Sequence, residues 1–477
     1  MKRILFRSFN LILLVFLLAG SNYYAQNVND ALRVGIPGLG ANARALGMGN
    51  SFIGLSDDAS AAFFNPAGFG LLKKLEFSGG LNYGNYNNNV DFLNANTEYS
   101  NSATKLNRIS FAFPFPTLRG SLVFGLSYHQ TKDLTGALKF DGLNNGNTSL
   151  IQDYLDTDIP FDLYLTDQDG NTPIDGMLNQ SGTIISSGVI NNWTFSGAIE
   201  VYKNLFMGLN LNIITGNYKS DNEYYEDDTE NLYEGVIASD EALSEDFQTF
   251  YLNRILDWDI SGWDAKFGLL YQLNNNARFG LTVQFPKTYN IKEDFSVNGY
   301  SLFGTGFSPE LDRDKYSDAV EYDIITPIEL AGGFSVNITG LILSAQATLI
   351  DYSQIEFEDV EGLGQPLVAS LNRDAKDLLA SVINYNLGIE YTVPQIGMRL
   401  RGGFFVQPSP YQGDPSEFDR KYFTTGIGFL ADESVGIDVA YAHGWWKDFG
   451  DNYSSEVSRT FQDITSDYII LTGIYRF

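Results

Sequence analysis

From residue 74 to the end of the chain, apolar and polar positions alternate with a period of two through segment after segment. In Leu75-Glu76-Phe77-Ser78-Gly79-Gly80-Leu81-Asn82-Tyr83 the odd positions are mostly apolar and the even ones small or polar. Trp193, Phe195, Gly197, Ile199 and Val201 alternate with Thr194, Ser196, Ala198 and Glu200, and Leu205, Met207, Leu209, Leu211 and Ile213 with Phe206, Gly208, Asn210, Asn212 and Ile214. Successive side chains of a strand point to opposite faces, so this pattern sets an apolar face against a mixed one. Fourteen such segments are read near 74–86, 104–115, 119–131, 192–202, 205–219, 258–272, 277–290, 317–337, 340–355, 383–393, 397–409, 420–431, 434–447 and 466–477. Most exceed the ~9–11 residues that a tilted strand needs to cross hydrocarbon.

The connections sharpen the picture. Tight turns join segments two and three at Pro116-Thr117-Leu118 and four and five at Lys203-Asn204, and later pairs turn at 273–276, 337–339, 394–396 and 432–433. These six turns interleave with seven long loops, the largest over 132–191. A membrane barrel has short turns on one rim and long loops on the other, whereas a soluble sandwich gives no reason for that order. The expected fold is all-β: a 14-stranded antiparallel transmembrane β-barrel in a Gram-negative outer membrane, both chain ends on the short-turn, periplasmic rim. It must close, because an open edge leaves N–H and C=O groups unsatisfied in hydrocarbon.

Composition changes this only in places. Glycines number 47, aromatics make up 14% and charged residues only 18%, which suits a large β-structure better than a helical enzyme. The formal charge of −28 repels phosphate backbones, so no nucleic-acid partner is expected. The absence of cysteine excludes disulfides, thiolate metal sites and cysteine nucleophiles. Lys2, Arg3 and Arg7 precede an apolar run from Leu11 to Ala19, too short to span a bilayer comfortably, which reads as a secretory signal over 1–25, with a cut after Ser21 as the other option. Between Asp221 and Asp246 there are eleven carboxylates and no basic residue. That reads as a solvated outer loop; Glu223, Glu226, Asp227 and Asp228 lack the spacing of an EF-hand, and no metal is assigned.

Chemistry finds little purchase. Gly38-Leu39-Gly40-Ala41-Asn42-Ala43 fits G-x-G-x-x-A, but it follows Pro37 with no strand before it, so the nucleotide reading fails on context. The two histidines are His129, with lumen-facing parity, and His443, with lipid-facing parity. Neither has an identifiable nucleophile and orienting group beside it, so no catalytic residue and no cofactor are assigned, and the chain is read as a non-enzyme. Charges with lumen-facing parity are Glu200, Asp264, Lys266, Arg278, Glu390, Arg399 and Arg401. Pairing across the lumen is the simple reading; Lys266, Arg278, Arg399 or Arg401 meeting a substrate carboxylate is the functional one.

The stretch 39–72 is too apolar for an exposed tail and lacks strand alternation. With Ala59, Ala61, Ala62, Phe63 and Phe64 it can fold compactly inside the barrel, Asn65-Pro66 fixing a turn that ends any short helix. A fourteen-strand lumen is wide enough to need such a plug. The domains are therefore a signal peptide over 1–25, a plug over 26–73 and a barrel over 74–477.

Within that stretch, Ala45-Leu46-Gly47-Met48-Gly49, Ser56-Asp57-Asp58-Ala59 and above all Asn65-Pro66-Ala67 resemble the hatch of FadL-type outer-membrane transporters of hydrophobic compounds. Tyr322-Asp323-Ile324-Ile325-Thr326-Pro327 and Ser409-Pro410-Tyr411 resemble versions in relatives from Bacteroidetes-type bacteria. The terminal Phe477, with Tyr475 on the same face, resembles the signal by which barrel assembly machinery recognises its clients. The resemblance implies passive transport of hydrophobic compounds such as long-chain fatty acids. Release would follow movement of a hatch with its turn at Asn65, Pro66 and Ala67 and its polar residues Asp57 and Asp58, through a gap in the barrel wall. Pro114, Pro116 and Gly125 are candidates for the kinked strand such a gap needs. The implied partners are a hydrophobic small molecule, outer-membrane lipids and lipopolysaccharide, and the assembly machinery. A PorV-like, non-transporting barrel of type nine secretion, with a similar hatch, is the alternative.

Overall fold

Along Leu205–Asp227 the alternation becomes strand: Leu209, Leu211 and Ile213 are exposed on one face, and Phe206, Gly208, Asn210 and Asn212 are buried on the other. The computed structural model describes residues 26–477 except 240, 275, 395, 432, 433 and 454–457. The signal reading over 1–25 and the turn at 432–433 fall outside the described residues.

Among the described residues, eighteen strand segments make fourteen strands, because four strands are each broken once. They are β1 (Glu76–Phe92), β2 (Ala95–Phe115), β3 (Leu122–Asp133 with Gly136–Leu143), β4 (Asn179–Tyr202), β5 (Leu205–Asp227) and β6 (Phe247–Gln272). Next come β7 (Ala277–Gln284 with Thr288–Phe303), β8 (Ser317–Ile325 with Glu329–Ile338), β9 (Leu341–Asp351 with Glu356–Glu361) and β10 (Ser381–Val393). The series ends with β11 (Met398–Gln407), β12 (Arg420–Ala431), β13 (Val435–Asp451) and β14 (Arg459–Arg476). Each pairs antiparallel with the next, and β1 pairs with β14 from Glu76↔Arg476 to Asp91↔Phe461, so the sheet closes on itself.

The outward face carries the large apolar side chains. Tyr202, Tyr271, Phe429 and Tyr475 lie toward the short-turn rim, and Trp193, Trp263, Tyr385 and Trp445 farther along their strands, all exposed. An apolar belt between aromatic girdles is the surface that a bilayer accepts.

Three expectations are corrected. The long loop expected between the first two strands is a hairpin: β1 and β2 continue to a two-residue turn at Leu93 and Asn94, with φ of 46° and 69°, the left-handed pair such hairpin turns use. The outer halves of β5 and β6 likewise pair as far as Asp227↔Thr249, so part of the acidic stretch is strand. Beyond the belt both faces of a strand meet polar surroundings, and the hydrophobic alternation that marks a strand disappears. The segments expected to run unbroken over 277–290, 317–337 and 340–355 are instead interrupted, the first two at Phe285-Pro286-Lys287 and Thr326-Pro327-Ile328. Proline has no N–H to give the ladder, so each break is local chemistry; Thr326 N donates to Lys287 O across the two gaps.

Leu211 sits on the outer face of β5, six residues from its short-turn end, close to the middle of an apolar band ~25 Å tall. Leu211→Arg is expected to lower the stability of the lipid-embedded barrel by about 2–4 kcal/mol. Urea titration read by the difference in gel migration between folded and unfolded barrel measures this.

Candidate functional site

Residues 26–73 form α1 (Val28–Gly35), α2 (Ala43–Gly47) and two short 3-10 turns, Ala59–Ala62 and Pro66–Leu71, and most of the segment is buried. It bonds to the wall on many sides. Ala43 N donates to Thr472 of β14, Ala59 N to Glu76 of β1, and Asn65 Nδ2 to Leu269 O of β6. In return Asn210 of β5, Ser335 of β8, Ser344 of β9 and Asn386 of β10 donate to the carbonyls of Ala62, Gly54, Ser51 and Gly49. Partners spread around a closed ring place the segment inside it.

Its docking rests on missing side chains. Gly208 and Gly268, Gly280 and Gly333, and Gly388 and Gly403 are three cross-strand pairs on the inner wall. A Cβ on Gly208 would lie 2.3 Å from Pro66 C, one on Gly280 2.3 Å from Ile53 O, and one on Gly403 2.1 Å from Gly49 N. Backbone of the segment thus lies directly on backbone of the wall. Asn65 locks the middle contact: its Nδ2 reaches both Ile53 O and Leu269 O, while its Oδ1 accepts from Ala67 N and caps the turn that Pro66 opens.

A chain of alternating charges holds the same segment. Arg44 gives Nε and Nη2 to the two oxygens of Glu390 at 2.9 and 3.0 Å and Nη1 to Asp57 at 2.5 Å. Asp57 also accepts from Arg278 at 3.0 Å, and Glu390 from Arg401 at 2.6 Å, which continues to Asp438 at 2.6 Å. Three arginines and three carboxylates thus balance. Asp58 lies at the edge of this chain, 3.7 Å from Arg44, and accepts from Ser60 N and from the Asn42 side chain. Burial pushes the Asp57 carboxyl up, but Arg44 and Arg278 together outweigh it and hold it well below the usual carboxylate range.

Above this floor lies a cavity of ≈ 150 Å³. Ile36, Phe63, Phe64 and Phe405 give it apolar wall, and His129, Asp264, Lys266, Lys287 and Glu329 a polar one. Lys287 pairs with Glu329 at 2.6 Å, whereas Lys266 reaches the Phe63 carbonyl at 2.7 Å and lies 5.6 Å from the Phe63 ring, and Lys132 reaches the carbonyls of Ile36 and Leu32 at 2.7 and 3.4 Å. Asp264 accepts from Asn212 and, at 2.8 Å, from Gln284. Phe63 meets the His129 ring edge-on at 5.4 Å. Over the cavity's outer side, Arg33 of α1 lies 4.4 Å from the Tyr218 ring and 5.0 Å from that of Trp258.

The four basic residues expected to meet a carboxylate part company. Arg278 and Arg401 belong to the charge chain, Arg399 faces a small gap shared with Arg44 and Asp58, and Lys266 lines the cavity. Glu200 accepts from Asn204 N at the short-turn rim. His443 is half-exposed on the outside, 2.9 Å from Asp467. The glycine-rich Gly38–Ala43 motif is a loop between two helices, without a preceding strand. Pro114 and Gly125 sit in an unbroken ladder, paired with Val123 and Ala112, and Pro116 in the turn beyond it; the β2–β3 ladder stops instead after Arg108↔His129. Sequence reasoning passed over Arg44, whose signal is its place as the one charge between Arg33 and Asp57.

Removing one partner from a buried ion pair costs about 3–5 kcal/mol. Arg44→Met is therefore expected to make residues 26–73 cleavable by protease under conditions that leave the native segment intact, with the barrel still folded. A carboxylate with a lowered folded pKa stabilises docking above its ordinary value, and that contribution fades only as pH falls from about 4 toward the lowered value. Protease resistance of the native segment is thus expected to be the same at pH 7 and pH 5 and to weaken only under stronger acid.

No family model matches the sequence, and no curated protein matches it either. Solved structures match nearly throughout. The Pseudomonas putida toluene transporter TodX superposes with a TM-score of 0.55 at 13% identity, covering 92% of this chain and 99% of its own. A Pseudomonas aeruginosa FadL homologue gives 0.56 at 14%, covering 92% and 98%, and the Ralstonia pickettii toluene transporter TbuX gives 0.51 at 15%, covering 92% and 99%. At such identities the likeness is one of fold: this chain is built as a closed fourteen-strand barrel similar to those of FadL-type hydrocarbon channels.

Proposed function

We propose that the protein is an outer-membrane channel for passive uptake of small hydrophobic compounds, with residues 26–73 as its movable hatch. The observation that carries this is an apolar-jacketed closed barrel, filled by its own leading segment, with a ≈ 150 Å³ cavity between segment and wall. Lipopolysaccharide impedes apolar solutes, so a protein path has a use, and burial of apolar surface gives roughly 25 cal/mol per Å² to draw a solute in. A cavity near that volume takes a molecule the size of benzene. A single aromatic ring therefore fits the closed state and needs the hatch to move only for its onward passage, whereas a long-chain fatty acid needs that movement to be accommodated at all. TodX and TbuX, both toluene transporters, are in keeping with that size.

The proposed exit is the seam beside β2. No backbone ladder joins its outer half to β3, and side chains span the space: Lys105 Nζ reaches Asp133 at 2.7 Å and Gly188 O at 2.6 Å, and Asn101 reaches Gly136 O at 3.2 Å. Side-chain bonds part more readily than a ladder. Lys266 and Lys132, which bond carbonyls and make no ion pair among the described residues, are the basic groups proposed to meet a polar edge of the ligand. The exposed Tyr475 and Phe477, 4.5 Å apart edge-on, support recognition by barrel assembly machinery. The Bacteroidetes-type likeness of 322–327 and 409–411 stays with the sequence, the matched transporters named above being from Pseudomonas and Ralstonia.

Uptake into Gram-negative cells deprived of their own channels of this kind tests the proposal. Expression is expected to speed entry of radiolabelled toluene well beyond that of oleate. Entry of both at the rate of cells carrying an empty vector would overturn it.

A further inference from the structure

We propose that the inner wall beside the cavity holds a carboxylate-binding subsite centred on Arg108, which takes the acid group of a small apolar carboxylic acid. The route of that acid rests on the transport reading above; its binding does not.

Two β-bulges meet here. The β1–β2 register slips between Gly80 and Leu81, leaving Asn107 as the extra residue, and the β3–β4 register slips between Gln130 and Lys132, leaving Thr131. Bulges re-aim side chains and end pairing. Asn107 and Arg108 are consecutive and both buried, as are His129 and Gln130, where strict alternation would bury one of each pair. Arg108 faces His129 on the final β2–β3 rung, and His129 faces Asn192 on β4. His129 and Asn192 both line the cavity, so this row runs from the cavity wall to Arg108.

The row is rich in unused hydrogen-bonding capacity. Arg108 is 1% exposed; its Nη2 donates to Ser78 Oγ at 2.6 Å, while Nε and Nη1 find no partner. Both amide atoms of Asn107 and of Gln130 are also unpartnered. So are the hydroxyls of Ser110 and Ser127, which face each other two residues along from Arg108 and His129. One unsatisfied buried polar group costs about 1–3 kcal/mol, and a charged one more. Nearby carboxylates are already engaged. Glu76 accepts from Ala59 N and Arg476, and Asp58 from Ser60 and Asn42. Among the described residues Arg108 makes no ion pair, in contrast to Arg44, Arg278 and Arg401. A guanidinium with free donors, flanked by two free amides, is suited to an anion with two oxygens. With the apolar wall of Phe63 and Phe64 nearby, the fitting ligand is a compact body, such as one ring, that carries a single carboxylate.

Equilibrium binding of radiolabelled benzoate and of toluene to the purified protein in detergent tests this, with Arg108→Gln, Arg108→Lys and Gln130→Leu variants checked for folding by gel migration. Arg108→Gln is expected to weaken benzoate binding by about tenfold or more, from loss of a charge-assisted bond, while toluene binding is unchanged. Arg108→Lys should retain part of the benzoate affinity. If Arg108→Gln does not fold, Gln130→Leu carries the same prediction with a smaller loss. Equal benzoate binding by wild type and variants, including none by any of them, would show that the groups serve only water and would overturn the subsite. Arg108-dependent binding without any cellular uptake would keep the subsite and count against the transport reading alone.

Discussion

Every backbone N–H and C=O inside hydrocarbon needs a partner within the protein, and the rungs between β1 and β14 close the sheet into a ring. Once the sheet is closed, its inner face is fixed in radius and must be filled. Filling it with side chains alone would demand large residues at many inward positions. This chain does the opposite over part of the wall, placing glycines in facing pairs and bringing its own leading segment against them. Backbone-to-backbone contact of that kind defines the segment's resting position closely.

Within the bore, two kinds of polar chemistry are kept apart. The charge chain from Asp438 to Arg278 is balanced and closed, and its carboxylates are shared between wall and segment through Arg44. Around the cavity the polar groups are less committed: Lys266 and Lys132 bond carbonyls, and Arg108 bonds one hydroxyl. A balanced network favours one arrangement of the segment, whereas weakly engaged cations in low dielectric attract any anion that reaches them. That contrast separates the part of the bore that anchors the segment from the part that the proposed function assigns to a solute.

The extent to which this was legible in the sequence follows the solvent. Where one face meets lipid and the other the lumen, alternation locates a strand to within a few residues, as at β10 and β12. Beyond the belt the same strands continue with polar residues on both faces, so the outer halves of β1, β2, β5 and β6 looked like loop. Pro286 and Pro327 carried a readable signal for the interrupted ladders, but flanking apolar residues kept the period and hid it. The N-terminal segment was recognisable from its small residues and from Asn65-Pro66-Ala67. What those residues touch was not, because Gly208, Gly268, Gly280 and Gly333 lie far along the chain and only register brings them under it. The same limit applies to Arg108, whose burial with Asn107 depends on a bulge that no periodicity marks.

The central claim is that a solute passes only when the leading segment moves inside a closed barrel. Ser51 of the segment and Ser344 of β9 have hydroxyls 2.9 Å apart, close enough for a disulfide between cysteines at both positions, and the chain has no cysteine of its own to compete. The most direct measurement is toluene uptake by cells carrying Ser51→Cys with Ser344→Cys, oxidised and then reduced. The account predicts entry at the background rate while the bridge is closed and recovery on reduction; entry at the full rate with the bridge intact would contradict it.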